Sequence, residues 1–417
     1  MTYEVRHTTE AEWRIVADTM RLALLAAPST DADWEKPAAA DSWRDGLSLS
    51  AWASGDDDER CIGHAGAFDM QMLLPGGAVV PMAGVTRVGV LSTHRRQGVL
   101  TNLMQRLLRE SLAAGRSIAT LRASEAVIYG RFGFQVAGEV NDIDIGPGAR
   151  IAAPVADGTL RILRRDETLE TVYAIHARVG LDRPGAVNRT RWSLTRSLEA
   201  ALAPDKAAYV VVHTSPDGVD DGYASYALDW PEGHGTHTGG KCRVEDIWGA
   251  SPAVELALWN YLLEIDLIDS VRAYDRPIDD PLRFALHDQR HYAVKGRRDE
   301  VWLRLLDVGA ALAARTYNPT PEAVTIAVSD PLFAANEGVW RVAADGAERV
   351  TADGADRTAG EADLVTTING LSGAYLGGTS WHELAVAGVV TARNEAAVRA
   401  ADLLFASRPL PRCGSFF

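Results

Sequence analysis

The sequence predicts an α/β chain laid out in three successive blocks, and three observations carry that reading. Runs rich in β-branched residues alternate with segments whose apolar positions recur at i, i+3, i+4 and i+7. A Gly/Pro/Ala-rich stretch, Gly146 to Gly158, interrupts the alternation like a linker. After about Arg297 the pattern shifts to strands separated by turns. At 417 residues the chain has room for two or three hydrophobic cores, and 47% hydrophobic with 24% charged residues is an ordinary globular balance. The expected blocks are residues 1–150, 151–296 and 297–417.

In order along the chain, the pattern predicts a helix over Glu10–Ala27 and a polar loop containing aspartate and tryptophan through about Asp45. Strands follow at Leu47–Ala53 and Cys61–Leu74, the second ended by the turn signal Pro75-Gly76-Gly77. A β-branched strand, Met82–Val90, leads to a helix over Gly98–Ala114. Its apolar positions Leu100, Leu103, Met104, Leu107, Leu108 and Leu112 share a face, and Gly115 marks a stop. A strand at Ser117–Leu121, a short helix near Val127–Arg131 and a strand at Phe134–Ala137 complete the first block. The second block reads as strand Leu160–Leu163, helix Glu167–Val179, and strands Ala208–His213, Gly222–Leu228 and Arg243–Trp248. A helix over Pro252–Ile265 then makes Val244–Leu263 a weak echo of Val85–Leu108. The third block closes with a helix near Asn394–Phe405 and an extended tail. That tail ends in two phenylalanines, which predicts that it is buried.

A formal charge of −14, from 42 Lys plus Arg against 56 Asp plus Glu, disfavours nucleic acid and favours cationic substrates. Three well-separated cysteines, Cys61, Cys242 and Cys413, fit a reducing compartment rather than a disulfide framework. The apolar run Leu22–Ala27 is too short for a membrane span and lacks a basic leader. The expectation is a cytoplasmic protein with no membrane partner. His234 and His237, in a Gly-rich hairpin without Cys or acidic partners, make a weak metal case, and no metal is expected.

The segment Val85–Leu108 carries the chemistry. A strand ends in Val88-Gly89-Val90, and a short loop brings Arg95-Arg96-Gln97-Gly98-Val99-Leu100-Thr101 to a helix start. The first turn of a helix leaves N–H groups unpaired and partly positive, which suits a pyrophosphate, and two arginines add charge without a metal. Spacing alone is equally compatible with an ordinary strand–loop–helix carrying a solvated arginine pair.

The segment is similar to the acetyl-CoA motif of the GNAT superfamily, in which Arg/Gln-x-x-Gly-x-Gly/Ala follows a V-x-V strand end. Arg95, Gly98 and Leu100 hold the signature places, and Thr93-His94-Arg95-Arg96-Gln97-Gly98-Val99-Leu100 resembles the Eis (enhanced intracellular survival) subfamily. Ser124-Glu125 followed by Tyr129-Gly130-Arg131-Phe132-Gly133-Phe134 matches that family's S-E-x-x-x-Y-G-R-F-G-[FY] element, and the chain ends, as in that family, on an aromatic residue. The resemblance implies two GNAT-like domains, the second without a cofactor motif, and a sterol-carrier-like domain. Asp246-Ile247-Trp248-Gly249-Ala250-Ser251-Pro252 stands where a second cofactor loop would be and contains no R-x-x-G.

The resemblance also implies an acetyl-CoA-dependent N-acetyltransferase acting by direct attack on primary amines of a small cationic substrate, an aminoglycoside-like multi-amine included. The Val90 N–H would polarise the thioester, Val88 to Val90 and Arg95 to Thr101 would hold the coenzyme with Ser124 and Glu125, and Tyr129 would donate a proton to sulfur. Glu125 could instead compete as a base, and Tyr129 could be a packed aromatic. The terminal carboxylate of Phe417 would act as base. A phenol near ~10 keeps its proton at neutral pH, while an exposed α-carboxylate near ~3.5 gains basicity only by burial. Trp13, Asp31, Asp33 and Trp34 fall where the family lines its amine pocket, or they are surface acids beside a core tryptophan. Arg87 replaces an apolar or aromatic residue, and Phe416 stands where the aminoglycoside-modifying relatives carry an acid. Both changes remove negative or apolar character from the substrate side. A protein lysine or a polyamine is the alternative acceptor, and a non-catalytic ligand carrier the alternative class. Self-association, as a hexamer, is expected by family analogy.

Overall fold

The computed structural model describes residues 2–34, 46–54, 59–204, 206–230, 239–350 and 361–417. His234 and His237 lie outside the described residues. The chain divides into two compact units, one of residues 1–138, 301–411 and Phe417, the other of residues 139–300 and 412–416.

In the first unit, strand β1 (Tyr3–His7) is followed by a 3₁₀ turn over Glu10–Glu12 and helix α1 (Trp13–Ala23). The helix predicted to run to Ala27 stops earlier, because Leu25 takes φ +61° and Pro28 follows, which no α-helix continues through. A single turn, α2 (Asp31–Trp34), sits inside the loop expected to be irregular. Strands β2 (Gly46–Ser54), β3 (Glu59–Leu73) and β4 (Val79–Val90) form an antiparallel meander. Helix α3 (Val99–Ala113) returns the chain to β5 (Ile118–Leu121), which pairs with β4 in parallel. Val99, Leu103, Met104, Leu107 and Leu108 of α3 are buried against Leu49, Ala51, Ile62, Ala65, Ala83 and Val85 of the sheet. The small sheet residues let the helix approach, and each large side chain contributes up to about 1.5–3 kcal/mol. Leu103→Ala, at a fully buried site, should loosen this contact by about 2–5 kcal/mol. A short helix, α4 (Ala126–Tyr129), then leads into β6 (Gln135–Ile145).

β6 is far longer than the four residues expected, because its outer half, Asn141 to Ile145, alternates polar and apolar residues from Asp142 on, Asp142-Ile143-Asp144-Ile145. From Glu139 on it belongs to the second unit. That unit adds β7 (Thr159–Ile162), helices α5 (Arg165–Val179), α6 (Arg191–Ser197) and α7 (Glu199–Leu202), and strands β8 (Ala208–Thr214), β9 (Asp220–Asp229) and β10 (Gly240–Gly249). Helix α8 (Pro252–Leu263) crosses to β11 (Ile268–Pro277), parallel to β10. The order β6-β11-β10-β9-β8-β7 makes the sheet. The Gly146–Gly158 stretch does not hang free: Gly146, Ala152 and Ala156 donate backbone hydrogen bonds to His291, Ala285 and Ala253 at 3.0, 2.8 and 3.0 Å.

Strand β12 (Tyr292–Leu305) was hidden by its charged middle, Lys295 to Glu300. Its last residues pair with β5, Trp302 opposite Leu121 and Leu305 opposite Ile118. The rest of the first unit is helix α9 (Val308–Ala314) and a five-stranded sheet. Its strands are β13 (Val324–Ser329), β14 (Gly338–Ala343), β15 (Gly346–Arg349), β16 (Leu364–Thr367) and β17 (Val390–Ala392). Helices α10 (Ile368–Ala374), α11 (Trp381–Val386) and α12 (Glu395–Phe405) accompany it. The tail is buried at Cys413, Ser415 and Phe417, whereas Phe416 is 74% exposed.

Candidate active site

The site begins with an irregularity in β4. Gly66 of β3 faces Thr86, but His64, two residues away, faces Gly89, so β4 carries one extra residue there. Arg87 absorbs the bulge at φ +54°, a left-handed conformation that an arginine adopts only when its surroundings enforce it. Those surroundings are His64, whose Nδ1 donates to the Arg87 carbonyl at 2.7 Å while Nε2 accepts from Ser48 Oγ at 2.8 Å. Burial, with the nearby Arg87 charge, pulls His64 down to about 4 against the pull of its backbone bond, so the ring is neutral and can fill both roles. Neither His64 nor Ser48 was picked out from the sequence; a lone histidine in an apolar strand run was the only signal.

β4 and β5 pair from Met82↔Ile118 to Gly84↔Thr120 and no further among the described residues, so Val88–Val90 stands clear of β5. Beyond the strand end, Gly98 is the N-cap of α3 at φ +80° and no side chain caps the helix. The N–H groups of Val99, Leu100 and Thr101 therefore lack an intrahelical acceptor. A Cβ on Gly98 would meet only the Tyr3 hydroxyl at 3.6 Å, so glycine is required there by conformation rather than by space. Arg96 is also left-handed, at φ +63°, and among the described residues neither Arg95 nor Arg96 pairs with a carboxylate.

Tyr129 ends α4, is buried, and meets Phe134 edge-on at 6.2 Å between ring centroids. Burial pushes its phenol above the usual range, with Glu125 adding to the effect and a hydrogen bond with Ser124 opposing it. The turn after it is braced from distant sequence. Asn369 Nδ2 donates to the carbonyls of Gly130 and Phe134 at 2.7 and 3.0 Å, and Arg304 Nε to that of Phe132 at 2.9 Å. Arg304 is itself paired with buried Asp330 at 2.7 Å.

These pieces enclose one cavity of about 340 Å³. Its walls include Val88, Gly89 and Val90, then Arg95, Arg96 and Gly98 to Thr101, and finally Ser124, Glu125 and Tyr129; Gln97 is not among them. Ala23, Leu24, His94 and Ile128 also line it and were not expected. Ala23, Leu24 and Ile128 are apolar and carried no local signal, whereas His94 stands in the Thr93–Leu100 motif itself, beside the phosphate loop.

The residues placed on the substrate side are scattered among different roles. Trp13 is buried in a small cluster with Val16, Ala17, Trp52 and Cys61, against which Trp34 packs. The Arg87 guanidinium lies over the rings of Trp13 and Phe68, 5.2 and 4.8 Å from their centroids. Asp31 pairs with Arg14, and Asp33 accepts from the Thr30 N–H and hydroxyl at 3.0 and 2.8 Å. The Phe417 ring packs over Gly84, where an added Cβ would meet it at 3.2 Å. Phe416 belongs to the second unit.

Residues 4–137 and 185–305 each match a family profile described as an acetyltransferase (GNAT) domain, and residues 308–414 match a sterol carrier protein domain. The N-acetyltransferase Eis of Mycobacterium tuberculosis is 32% identical over 332 residues, 76% of this chain and 77% of Eis. The chain belongs to the Eis family of GNAT N-acetyltransferases. An uncharacterised N-acetyltransferase of Streptomyces coelicolor is 36% identical over 87% of this chain and 88% of its own. The crystal structure of Eis1 from Mycobacterium abscessus superposes over the whole of both chains with a TM-score of 0.85 at 34% identity. This Eis-family chain is thus an acetyltransferase of mixed α/β fold, and the carrier-only alternative falls.

The second GNAT domain repeats the β4–α3–β5 arrangement as β10–α8–β11, as the sequence echo suggested, but its helix start is closed. Ser251 Oγ accepts from the Val254 N–H at 3.3 Å, and Pro252 at the first turn has no N–H to offer. Asp246 is half-buried and takes hydrogen bonds from Arg189, from Tyr223 Oη at 2.6 Å and from Trp248 Nε1 at 2.6 Å. Desolvation pushes its carboxyl up, but the charge and hydrogen bonds of Arg189, with that of Tyr223, outweigh this and hold it low. Among the described residues no group of three His, Cys, Asp or Glu side chains gathers to hold a metal, and no helix is long and apolar enough to cross a membrane.

Proposed function

We propose that this enzyme transfers the acetyl group of acetyl-CoA to a primary amine of a small, cationic, multi-amine substrate, aminoglycoside-like amines included. The observation that supports this best is the single 340 Å³ cavity in which the strand end, the uncapped helix and Tyr129 meet. Its walls suit the coenzyme. Three N–H groups without an intrahelical acceptor and two arginines that pair with no carboxylate among the described residues match a pyrophosphate, and Leu24, Val88 and Ile128 match an apolar arm.

Bound there, acetyl-CoA supplies a thioester acyl group. The Val90 N–H polarises its carbonyl, as an oxyanion donor does. The amine attacks that carbonyl as the C–S bond breaks. Tyr129, kept protonated by burial, gives its proton to the departing sulfur. The amine proton goes to the terminal carboxylate of Phe417, whose ring packs in the same unit. Self-association as a hexamer is part of the same reading, and sedimentation velocity on the full chain checks it.

The deciding experiment follows coenzyme A thiol release across a panel of a polyamine, an aminoglycoside and a lysine peptide. Rapid turnover on the polyamine or aminoglycoside supports a small multi-amine acceptor; turnover on the peptide alone shifts the acceptor to protein lysine. Gly98→Asp should abolish acetyl-CoA binding by calorimetry, since it strains φ +80° and adds charge repulsion. Unchanged affinity in a folded variant would reject the loop.

A further inference from the structure

Four carbonyls of the segment that follows Tyr129 are taken by side chains from beyond residue 300. Asn369 Nδ2 reaches those of Gly130 and Phe134, Arg304 Nε that of Phe132, and Thr379 Oγ1 that of Val136 at 3.2 Å. Every second carbonyl from Gly130 to Val136 is thus bonded to a side chain remote in sequence. The two stretches of chain also lie unusually close. A Cβ added to Gly373 would meet Gln135 Cγ at 2.8 Å, and one on Gly378 would meet the Ala137 carbonyl oxygen at 2.7 Å. Glycine permits that approach where a side chain would not.

Asn369 holds the two points that fix the phenol. It stands half-buried on α10, and both partners of its Nδ2 are carbonyls, so only the NH₂ end of the amide fits there. The Thr367 hydroxyl donates to its Oδ1 at 3.4 Å, in keeping with that orientation. Gly130 directly follows Tyr129, and Phe134 is the residue whose ring meets the Tyr129 ring edge-on. α10 is anchored in turn. Buried Arg315 donates to the carbonyl of Tyr375, which caps the end of α10, and to that of Phe405, the last residue of α12, at 3.1 Å. Carbonyls at helix ends lack intrahelical partners, so one guanidinium serves both helices and ties them together. It lies over the rings of Tyr317 and Phe405, 4.8 and 4.6 Å from their centroids.

We propose that the sterol-carrier-like domain of this chain serves acetyl transfer as a scaffold for Tyr129, with Asn369 as the positioning residue. The inference rests on the reading of Tyr129 as proton donor. A phenol protonates a departing sulfur only from hydrogen-bond reach, and an offset of 1 Å can cost about a hundredfold. The chain that must hold it is a three-residue 3₁₀ turn, Gly130–Phe132, followed by Gly133 at φ +89°, a stretch with little structure of its own. Each bond from the scaffold is modest in net strength, but together they leave the turn one position. Asn369 is not among the walls of the 340 Å³ cavity, so its loss acts through Tyr129 and not on contacts with the coenzyme.

A double-mutant cycle on the full chain tests it, with kcat and KM measured by thiol release on the amine turned over fastest in the panel above. Asn369→Ala should lower kcat about tenfold while KM for acetyl-CoA stays within twofold. In a Tyr129→Phe background the same substitution should cost less than twofold, because the group it positions is gone. A merely structural role would lower both backgrounds alike. Wild-type kcat in Asn369→Ala, an equal loss in both backgrounds, or a rise in KM with kcat unchanged would each overturn the proposal. Wild-type turnover in Tyr129→Phe alone would strike the proton-donor reading, and the scaffold with it. A slow Tyr129→Phe beside an unaffected Asn369→Ala would strike the scaffold only. Should Asn369→Ala fail to fold, Thr379→Val removes one donor and keeps the side-chain outline. It should then lower kcat two- to fivefold in the wild type and leave Tyr129→Phe unchanged, and any other result overturns the proposal.

Discussion

Tyr129 and His64 place opposite demands on burial. For Tyr129 burial favours the protonated phenol, which is the form a proton donor needs, so removing the hydroxyl should touch chemistry and little else. Tyr129→Phe is expected to lower kcat at least tenfold while acetyl-CoA affinity stays within twofold; wild-type turnover would leave Tyr129 as a packing residue. For His64 burial favours the neutral ring, and His176 in the second unit is pulled down further, to about 3. Both titrate near 6.5 when unfolded, so the unfolded chain takes up protons that the folded chain refuses. Stability is then full above about pH 6.5 and is lost as pH falls toward 4 and 3. By pH 5 the loss is about 2 kcal/mol for each ring. Melting temperatures should drop steeply from pH 6.5 to 5, a window in which ordinary carboxylates hardly change. A flat profile would show that these rings are not held neutral.

Two helix starts with the same topology differ by a cap. Gly98 leaves the donors of α3 open, whereas Ser251 and Pro252 consume or delete those of α8. That contrast was legible in the sequence, because caps and strand ends are local signals within a few residues. The braces on the Tyr129 turn were not. Asn369 and Arg304 act from the far end of the chain, and nothing within their own segments marks them. Asn369→Ala should strand the Gly130 and Phe134 carbonyls and cost about 1–3 kcal/mol by denaturant unfolding; an unchanged midpoint would show the brace to be dispensable. The tail has a comparable hold in the second unit, where buried Glu300 accepts the N–H groups of Cys413 and Gly414 at 2.8 and 2.9 Å. Glu300→Gln can satisfy only one of them, so those two amides should exchange hydrogen at least tenfold faster. Equal protection in the variant would locate the hold elsewhere.

Across the whole molecule, composition breaks near Gly146 and Arg297 were visible in the sequence, but the grouping of the blocks was not. Residues 301–411 share a compact unit with residues 1–138, through pairs such as Trp302 with Leu121 that no local pattern encodes. The same holds for β12, whose charged centre masks a strand. The proposed base lies at the other extreme of range, at the terminus. One glycine added after Phe417 moves the carboxylate by about 3.5 Å and leaves every side chain in place. Because a 1 Å misplacement can cost about a hundredfold, that enzyme should be nearly inactive yet still bind acetyl-CoA. Full kcat would assign the proton to another acceptor, Glu125 or a water chain.

The three cysteines have a practical bearing on every thiol-release measurement described above. Cys61, Cys242 and Cys413 are all free and buried, and burial pushes the thiols of Cys61 and Cys242 up, the latter to about 12. A colorimetric disulfide reagent needs an accessible thiolate. The folded protein should therefore be nearly silent toward such a dye, and colour formed during turnover reports released coenzyme alone. The same dye counts unfolded molecules, at three equivalents per chain in denaturant.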